Sequence, residues 1–595
     1  MGVGVIGAAD GFHGRALILV QIDYSVFAAR RGGTIIQIRH LLLSVIGLML
    51  LRAVPAGADD FRNWTGFYIG GHAGAMSGLT HFSDPDGPGL FGGNVNTPGF
   101  LAGVQLGYNW QVRPQLVIGL EADASLVAAS GTNTCLQSSI QVVGANCKVT
   151  PREIATLAGR FGILTEPRGR TLLYAKAGAA WMRSDSAINQ NNSVNSLDQG
   201  FLDNGITFTD VPDQAGPLNA SISAWGATVG AGVEYALSSS WSLKMEYDYL
   251  RFGGMGMGTP PSSTVTIDGN VTNDPSSGTS SITQNIHLVK VGLNYRFGAG
   301  SSSGGPADDA PAAPPFTPGW EFETGARYWY SSGSYQNSNG APYALVSRLT
   351  YDNMTAHSGE LFARADAPFG LFVKGFIGGG AITGGQMYDE DWGLASTLAS
   401  VPTGYEITQS DLVGSLAYLT GDIGYNLMQG RDHKVGVFVG YNIYQATMNA
   451  MGCNQLVAPS SGLCSPAAPP TQNLVSQIDR WQSIRLGVSA EASLWERFKL
   501  GGDFAFLPYV NYNGLDAHRA RGLNFPWSGT GNGVQTELVA SYGVTDAFTV
   551  GIGGRYWAMW TNVAAQADLP TNIVNASMDR YGVFVQASYK FNAPR

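Results

Sequence analysis

Across residues 241–250 apolar and polar side chains alternate one for one: Trp241, Leu243, Met245, Tyr247 and Tyr249 against Ser242, Lys244, Glu246 and Asp248. A period of two is the mark of a strand with one apolar and one polar face. The alternation returns in residues 287–297, where Val289, Val291, Leu293, Tyr295 and Phe297 oppose Lys290, Asn294 and Arg296. It returns again in residues 581–591, with Tyr581, Val583, Val585, Tyr589 and Phe591 on one face. Such strands are about ten residues or longer, the length that crosses a bilayer at a tilt, and they end in aromatics. Tight connections at 111–115, 237–240, 367–370, 495–497 and 544–547 alternate with long polar loops. Together these features predict transmembrane antiparallel β-barrels with short periplasmic turns and long outer loops.

The segments number eight before residue 298, beginning near 64–76, and ten after residue 315. Between them, residues 298–315 are Gly, Ser, Ala and Pro with two Asp, a composition that buries no core and behaves as a spacer. Closure leaves no unpaired edge in lipid. An even strand count returns each C-terminus to the side of its N-terminus, so a periplasmic linker is able to join two barrels. The reading is all-β: an eight-stranded barrel in 59–297, a flexible linker in 298–315 and a ten-stranded barrel in 316–595.

The N-terminal 58 residues stand apart. Arg39 and His40 precede the apolar run Leu41-Leu42-Leu43-Ser44-Val45-Ile46-Gly47-Leu48-Met49-Leu50-Leu51, and Ala56-Gly57-Ala58 follows it. Basic flank, short apolar core and small-x-small site predict a secretory signal peptide cut after Ala58. Residues 1–38 make the leader unusually long, through either an extended signal or a start upstream of the true one. In an exported chain, the four cysteines, Cys135 with Cys147 and Cys453 with Cys464, read as two loop disulfides. No Cys-x-x-Cys occurs and no His lies near either pair, so no metal site is assigned.

Composition narrows the class further. Of 595 residues, 80 are Gly and 13% are charged, roughly half the charged share of a typical soluble domain. That profile argues against a coiled coil, a disordered chain or an ordinary soluble enzyme. Apart from residues 41–51, no apolar run approaches the roughly 18–20 residues of a membrane helix, which excludes a polytopic helical protein. Lys plus Arg number 34 against 43 Asp plus Glu, a net charge of −9 without a basic cluster, so nucleic acid is not an expected partner.

The first half resembles the small porin-like outer-membrane β-barrel family of Gram-negative envelopes. The residues that carry the likeness are Trp64-Thr65-Gly66-Phe67-Tyr68-Ile69-Gly70-Gly71, Gly103-Val104-Gln105-Leu106-Gly107-Tyr108-Asn109-Trp110 and the closing Val291-Gly292-Leu293-Asn294-Tyr295-Arg296-Phe297. These motifs bear on fold and hardly on activity, because a barrel of eight strands is filled by its own side chains. A structural, adhesive or narrow-channel role fits it.

The second half resembles the omptins, ten-stranded outer-membrane endopeptidases. The likeness rests on Leu345-Val346-Ser347-Arg348-Leu349-Thr350-Tyr351, on Gln386-Met387-Tyr388-Asp389-Glu390-Asp391-Trp392, and on Leu500-Gly501-Gly502-Asp503-Phe504 followed by Leu515-Asp516-Ala517-His518. It implies a water held between the Asp389/Asp391 couple and His518, with His518 the general base and Asp516 orienting its imidazole. It implies no cofactor, apart from a dependence on lipopolysaccharide. Of the family's lipid-binding positions, those on the fifth strand fall near Ile443 and Gln445, and Arg480 matches another lipid-phosphate contact. Omptins that cut beside basic residues place one acid in the first outer loop and another two residues before the Asp-x-His pair. Here residues 331–340 hold no acid and the second position is Gly514.

Spacing supports the pairing independently. Asp389 and Asp516 each lie 19 residues beyond a tight turn, at Gly370 and Arg497. At about 3.3 Å per residue and a 45° tilt that is a rise of roughly 44 Å, well beyond the ~25 Å apolar band. Both pairs therefore belong on the outer rim, and members two apart share a face. Simple alternation, however, points both outward. Leu371, Val373 and Ile377 put odd positions on the lipid face of one strand, and Phe498, Leu500 and Phe504 put even positions there in the other. A bulge is required in each, and the glycines at 378–380 and 384–385, or Pro508 and Gly514, permit it. The expected protein is a tandem outer-membrane barrel with outer loops and a candidate surface endopeptidase site acting on peptides. The competing expectation is a non-enzymatic envelope or adhesion protein that keeps the same residues without turnover.

Overall fold

The computed structural model describes residues 63–297 and 318–592, except 86, 90, 137–144, 166–168, 191–217, 260–261, 266–270, 275–277, 342–343, 393–404, 431, 458–463, 465 and 567–572. The leader and signal segment within 1–58 and the linker 298–315 lie outside the described residues. Among the described residues no helix is long and apolar enough to cross a membrane.

Two large antiparallel sheets and a separate two-stranded hairpin make up the described residues. The first runs through β1 (Gly66–Phe82), β2 (Asn94–Arg113), β3 (Leu116–Ala129), β4 (Gly131–Cys135) and β5 (Ala145–Leu164). It continues with β6 (Thr171–Gln190), β7 (Leu218–Ala236) and β8 (Trp241–Gly258). A separate hairpin, β9 (Ser262–Val265) with β10 (Val271–Asp274), precedes the last strand, β11 (Thr279–Arg296). Strand β11 pairs with β1, and β3 pairs with β5, which closes a ring of eight long strands. The second sheet is a closed ring. Its first five strands are β12 (Glu321–Ala341), β13 (Ala344–Asp366), β14 (Leu371–Trp392), β15 (Tyr405–Gln429) and β16 (His433–Val457). The ring is completed by β17 (Ala468–Trp495), β18 (Phe498–His518), β19 (Leu523–Gly543), β20 (Phe548–Gln566) and β21 (Ile573–Asn592).

Three short strands, β4, β9 and β10, were not legible in the alternation. They are loop hairpins of four or five residues, too short to carry a period. Strands also reach further than their apolar stretches, as in β1, which continues to Phe82. Backbone pairing persists above the apolar band because each N–H and C=O still needs a partner.

The apolar band is visible on the outer wall of the second ring. Trp320 and Phe322 stand at the short-turn end, and Tyr328 and Tyr330 stand higher on the same face, all exposed. Phe369, Tyr425, Trp495 and Phe548 extend the lower girdle, and Tyr441, Tyr509 and Tyr581 the upper one, with Val373, Ile377 and Val583 between. The ten steps from Trp320 to Tyr330 rise roughly 23 Å at a 45° tilt, the height of a barrel's lipid band. Below its mouth this ring is packed solid. Trp329, Phe376, Tyr418 and Trp557 meet edge to face or stacked. Beside them Arg555 bridges Glu360 at 2.7 Å and Glu537 at 2.6 Å.

The first ring is filled by charge instead. Lys244 reaches Glu121 at 3.0 Å, Lys176 and Lys290 each reach Glu246 at 2.9 Å, Lys290 reaches Asp248 at 2.7 Å, and Arg160 reaches Glu234 at 2.7 Å. All are buried. Glu121, Asp123 and Glu246 converge closely enough to hold a cation, but lysine ammonium groups already stand against each of them. Buried charges of this kind hold only as a complete set. Lys290→Ala would remove one of the two ammonium groups that Asp123 and Asp248 share and leave both to Lys176, an incomplete set that is expected to destabilise the first barrel by about 3–5 kcal/mol. The loss of heat-modifiable migration at lower temperature than in the parent protein checks this.

Candidate functional site

The mouth of the second ring is formed by the ends of strands that outrun the lipid band. Asp389 lies three residues from the end of β14, and Asp516 lies two from the end of β18. What turns them inward is an extra residue in each strand. In β14 the ladder to β15 runs from Ile382↔Gly414 to Gln386↔Asp411, four steps against three. Even positions such as Phe372 and Ile382 face the lumen below the bulge, and Met387, Asp389 and Asp391 face it above. Gly385 adopts φ +128° there, a conformation that side chains resist. Beside it on β13, Asn353 takes φ +53° and the two strands shift register together.

In β18 the ladder steps from Leu507↔Gly533 to Val510↔Gly531, three against two, across Pro508, which has no N–H to donate. Ala505 and Leu507 face the lumen below it, and Val510, Tyr512 and Asp516 above. The bulges that alternation demanded are thus present, at the second glycine pair and at Pro508.

His518 and Asp516 form a dyad. His518 Nε2 stands 3.0 Å from Asp516 Oδ2, so an N–H there donates to the carboxylate and leaves the Nδ1 lone pair as a base. Phe525 on β19 meets the imidazole edge to face at 5.4 Å. Strand β14 lies four places round the ring from β18, yet the two pairs sense one another. Asp389 feels the charges of Asp391 and Asp516, and Asp391 feels that of His518. Desolvation in the barrel mouth raises Asp389 well above the ordinary carboxylate range, and the negative charges of Asp391 and Asp516 add to it. Desolvation and Glu406 raise Asp391 to about 6, against a Ser347 hydrogen bond and the positive charge of Arg521. Both carboxyls therefore hold a proton more readily than an ordinary aspartate.

Several mouth residues gave no sequence signal. Asp479 on β17 is the ladder partner of Gly514, and Gln477 is that of Asp516. Tyr512 Oη donates to Asp479 Oδ1 at 2.8 Å and Gln477 Nε2 donates to the same atom at 2.7 Å. A Cβ at residue 514 would collide with Tyr512 Oη, so an acid there would expel the tyrosine. Asp479 occupies the neighbouring place instead. Its inward parity alongside Trp481 was the available clue. Arg480 points outward and is exposed, four residues above Ile484, whose ladder partners are the girdle tyrosines Tyr441 and Tyr509. The cysteines are joined as Cys135–Cys147 and Cys453–Cys464.

Closed antiparallel rings with an outer apolar band and two aromatic girdles define an outer-membrane β-barrel protein. The chain belongs to the outer membrane protein beta-barrel domain family, which residues 45–297 match. The 31 kDa outer-membrane immunogenic protein of Brucella melitensis is 30% identical over 251 residues, 41% of this chain and 88% of the relative. The 22 kDa outer membrane protein of Rhizobium leguminosarum is 28% identical over 198 residues, 33% of this chain and 66% of the relative. Among solved structures, the outer membrane protease OmpT of Escherichia coli is similar at 16% identity and a TM-score of 0.37, over 46% of this chain and 97% of that one.

Proposed function

We propose that the second barrel is a surface endopeptidase, with its long loops outside the cell, the linker in the periplasm and the leader removed on export. The observation that carries this reading is the pair of bulges that bring Asp389, Asp391, Asp516 and His518 into one mouth, with His518 bonded to Asp516. The chemistry follows from the groups. His518 Nδ1 takes a proton from a water held against the aspartate couple, and the hydroxide oxygen bonds to the scissile carbonyl carbon. The proton shared by Asp389 and Asp391 hydrogen-bonds the oxyanion, and Asp516 stabilises the imidazolium. As the C–N bond breaks, His518 returns its proton to the leaving amine. Neither a covalent intermediate nor a cofactor takes part. Arg480, on the outer wall above the upper girdle, is at the height of lipid phosphates and is the contact proposed for lipopolysaccharide.

The test is peptide-library cleavage by the full chain refolded with and without lipopolysaccharide, beside His518→Ala and Asp389→Ala. Cleavage lost in both variants is expected, and the library then reads which side chains the site accepts. Equal background in all three folded proteins would overturn the enzyme and leave an adhesive or structural surface protein.

A further inference from the structure

Glu390 lies between the two candidate catalytic aspartates and points the other way, onto the outer wall of the barrel. Its ladder partner Arg348 on β13 points outward too. Both are completely inaccessible, although they stand on an outside face. The cover is the hairpin β4–β5 of the first barrel, closed by the Cys135–Cys147 disulfide. Arg348 Nη1 donates to Thr134 Oγ1 at 3.0 Å and Nη2 to Thr132 Oγ1 at 3.0 Å, with Asn146 Oδ1 as a further acceptor. Thr134 Oγ1 in turn donates to Glu390 Oε1 at 2.5 Å. Gln336 Nε2 on β12 donates to Asn133 Oδ1 at 3.4 Å, and Phe91 packs on Tyr388 with ring centres 4.6 Å apart.

We propose that the first barrel positions the second barrel's site: the hairpin docked on Arg348 and Glu390 fixes the end of β14, and with it Asp389 and Asp391. The inference rests on the endopeptidase reading for its consequence, but not for the docking itself. Above the bilayer, nothing in the lipid holds a strand end in place, and β14 ends at Trp392, one residue beyond Asp391. Neighbouring residues on one strand cannot move independently, so a clamp on Glu390 is a clamp on both carboxyls. An ion pair buried with directional polar partners adds little stability but defines one register, which suits a positioning device. The hairpin is itself tied down. Asn133 Nδ2 donates to Asn94 O at 2.7 Å, and Gly93 N donates to Thr134 O at 2.8 Å. Below, inside the lipid band, Ala75 of the first barrel packs with Phe504, Val534 and Ala558 of the second, and Phe100 meets Phe506 at 4.9 Å. The contact thus continues from the membrane to the rim.

The experiment uses the full chain and the variants Thr134→Val with Asn146→Leu, the rescue variant Thr134→Ser, and Cys135→Ser with Cys147→Ser. Heat-modifiable migration establishes that both barrels are folded. Amide hydrogen exchange over residues 345–350 and 386–392 is expected to speed up by about tenfold in the Val/Leu and Cys-free variants, with 498–507 unchanged and Thr134→Ser like the parent. Unchanged exchange in the Val/Leu variant overturns the docking. Where the parent cleaves peptide, kcat is expected to fall about tenfold or more in that variant with KM within about twofold, and Thr134→Ser to restore it. An unaltered kcat overturns the positioning role. A parent that cleaves nothing refutes the proposed enzyme, and hydrogen exchange alone then decides the clamp.

Discussion

Asp516→Asn is expected to lower kcat by about 10³–10⁴-fold while leaving KM within about threefold. The carboxylate touches the imidazole and not the substrate, so its loss acts on the transition state. In the parent, His518 Nε2–H faces Asp516 Oδ2 at 3.0 Å, and Nδ1 is the nitrogen that must arrive without a proton. An amide changes this in either orientation. With its oxygen toward Nε2, the geometry survives but no negative charge meets the imidazolium that forms when water is deprotonated. With its NH₂ toward Nε2, the imidazole must carry its proton on Nδ1 and is no longer a base. The barrel should fold normally, because Asn fills the same space between Gln477 and Phe525, the ladder partners of residue 516. Initial rates on the best library peptide check this. A fall of less than about tenfold would mean that His518 is not the base.

Much of this architecture was legible along the chain, and the reason is physical. A lipid-facing wall forces strict alternation, so the lower halves of the strands announce themselves. Above the girdles the environment changes: both faces meet water or protein, and alternation loses its hold. There Met387, an apolar residue, faces the lumen, and Glu390, a charged one, is sealed on the outer wall. Parity counted from below therefore put the four site residues on the wrong side, and only the backbone accommodates the difference, at Gly385 and across Pro508. The glycines and the proline were visible as permissive positions, but which of them would bulge depended on ladder partners in β15 and β19. The parity of Asp479 was readable, but what it and the Arg348–Glu390 pair do was not, for a related reason. Their meaning lies in what stands opposite, Gly514 in one case and a hairpin more than 200 residues earlier in the other.

Asp391→Asn is expected to stabilise the second barrel by about 2–3 kcal/mol at pH 8 and by nothing measurable near pH 3.5, while abolishing cleavage. The carboxyl is raised to about 6 in the folded chain, chiefly by desolvation in the mouth and then by Glu406. A raised value means that the folded protein holds this proton more tightly than the unfolded chain does. While both states are protonated, the site costs nothing. As pH climbs from the ordinary carboxylate value near 4 through about 6, the unfolded chain ionises first, and folding loses free energy at each step. Above that window the full penalty remains, because a charge is kept in the mouth beside another acid. Asparagine carries no charge, keeps the contact with Ser347, and escapes the penalty entirely. Asp389→Asn should act in the same direction, and the double variant should gain less than the sum, since each substitution already relieves the repulsion that the other acid feels. Urea unfolding followed by tryptophan fluorescence at pH 3.5, 6 and 8 measures the difference. Equal or lower stability of Asp391→Asn at pH 8 would show that the couple is not held against its own charge, and would remove the shared proton on which oxyanion stabilisation depends. A site that gains stability when its acids are neutralised, and loses function by the same change, is one whose strain is retained for chemistry.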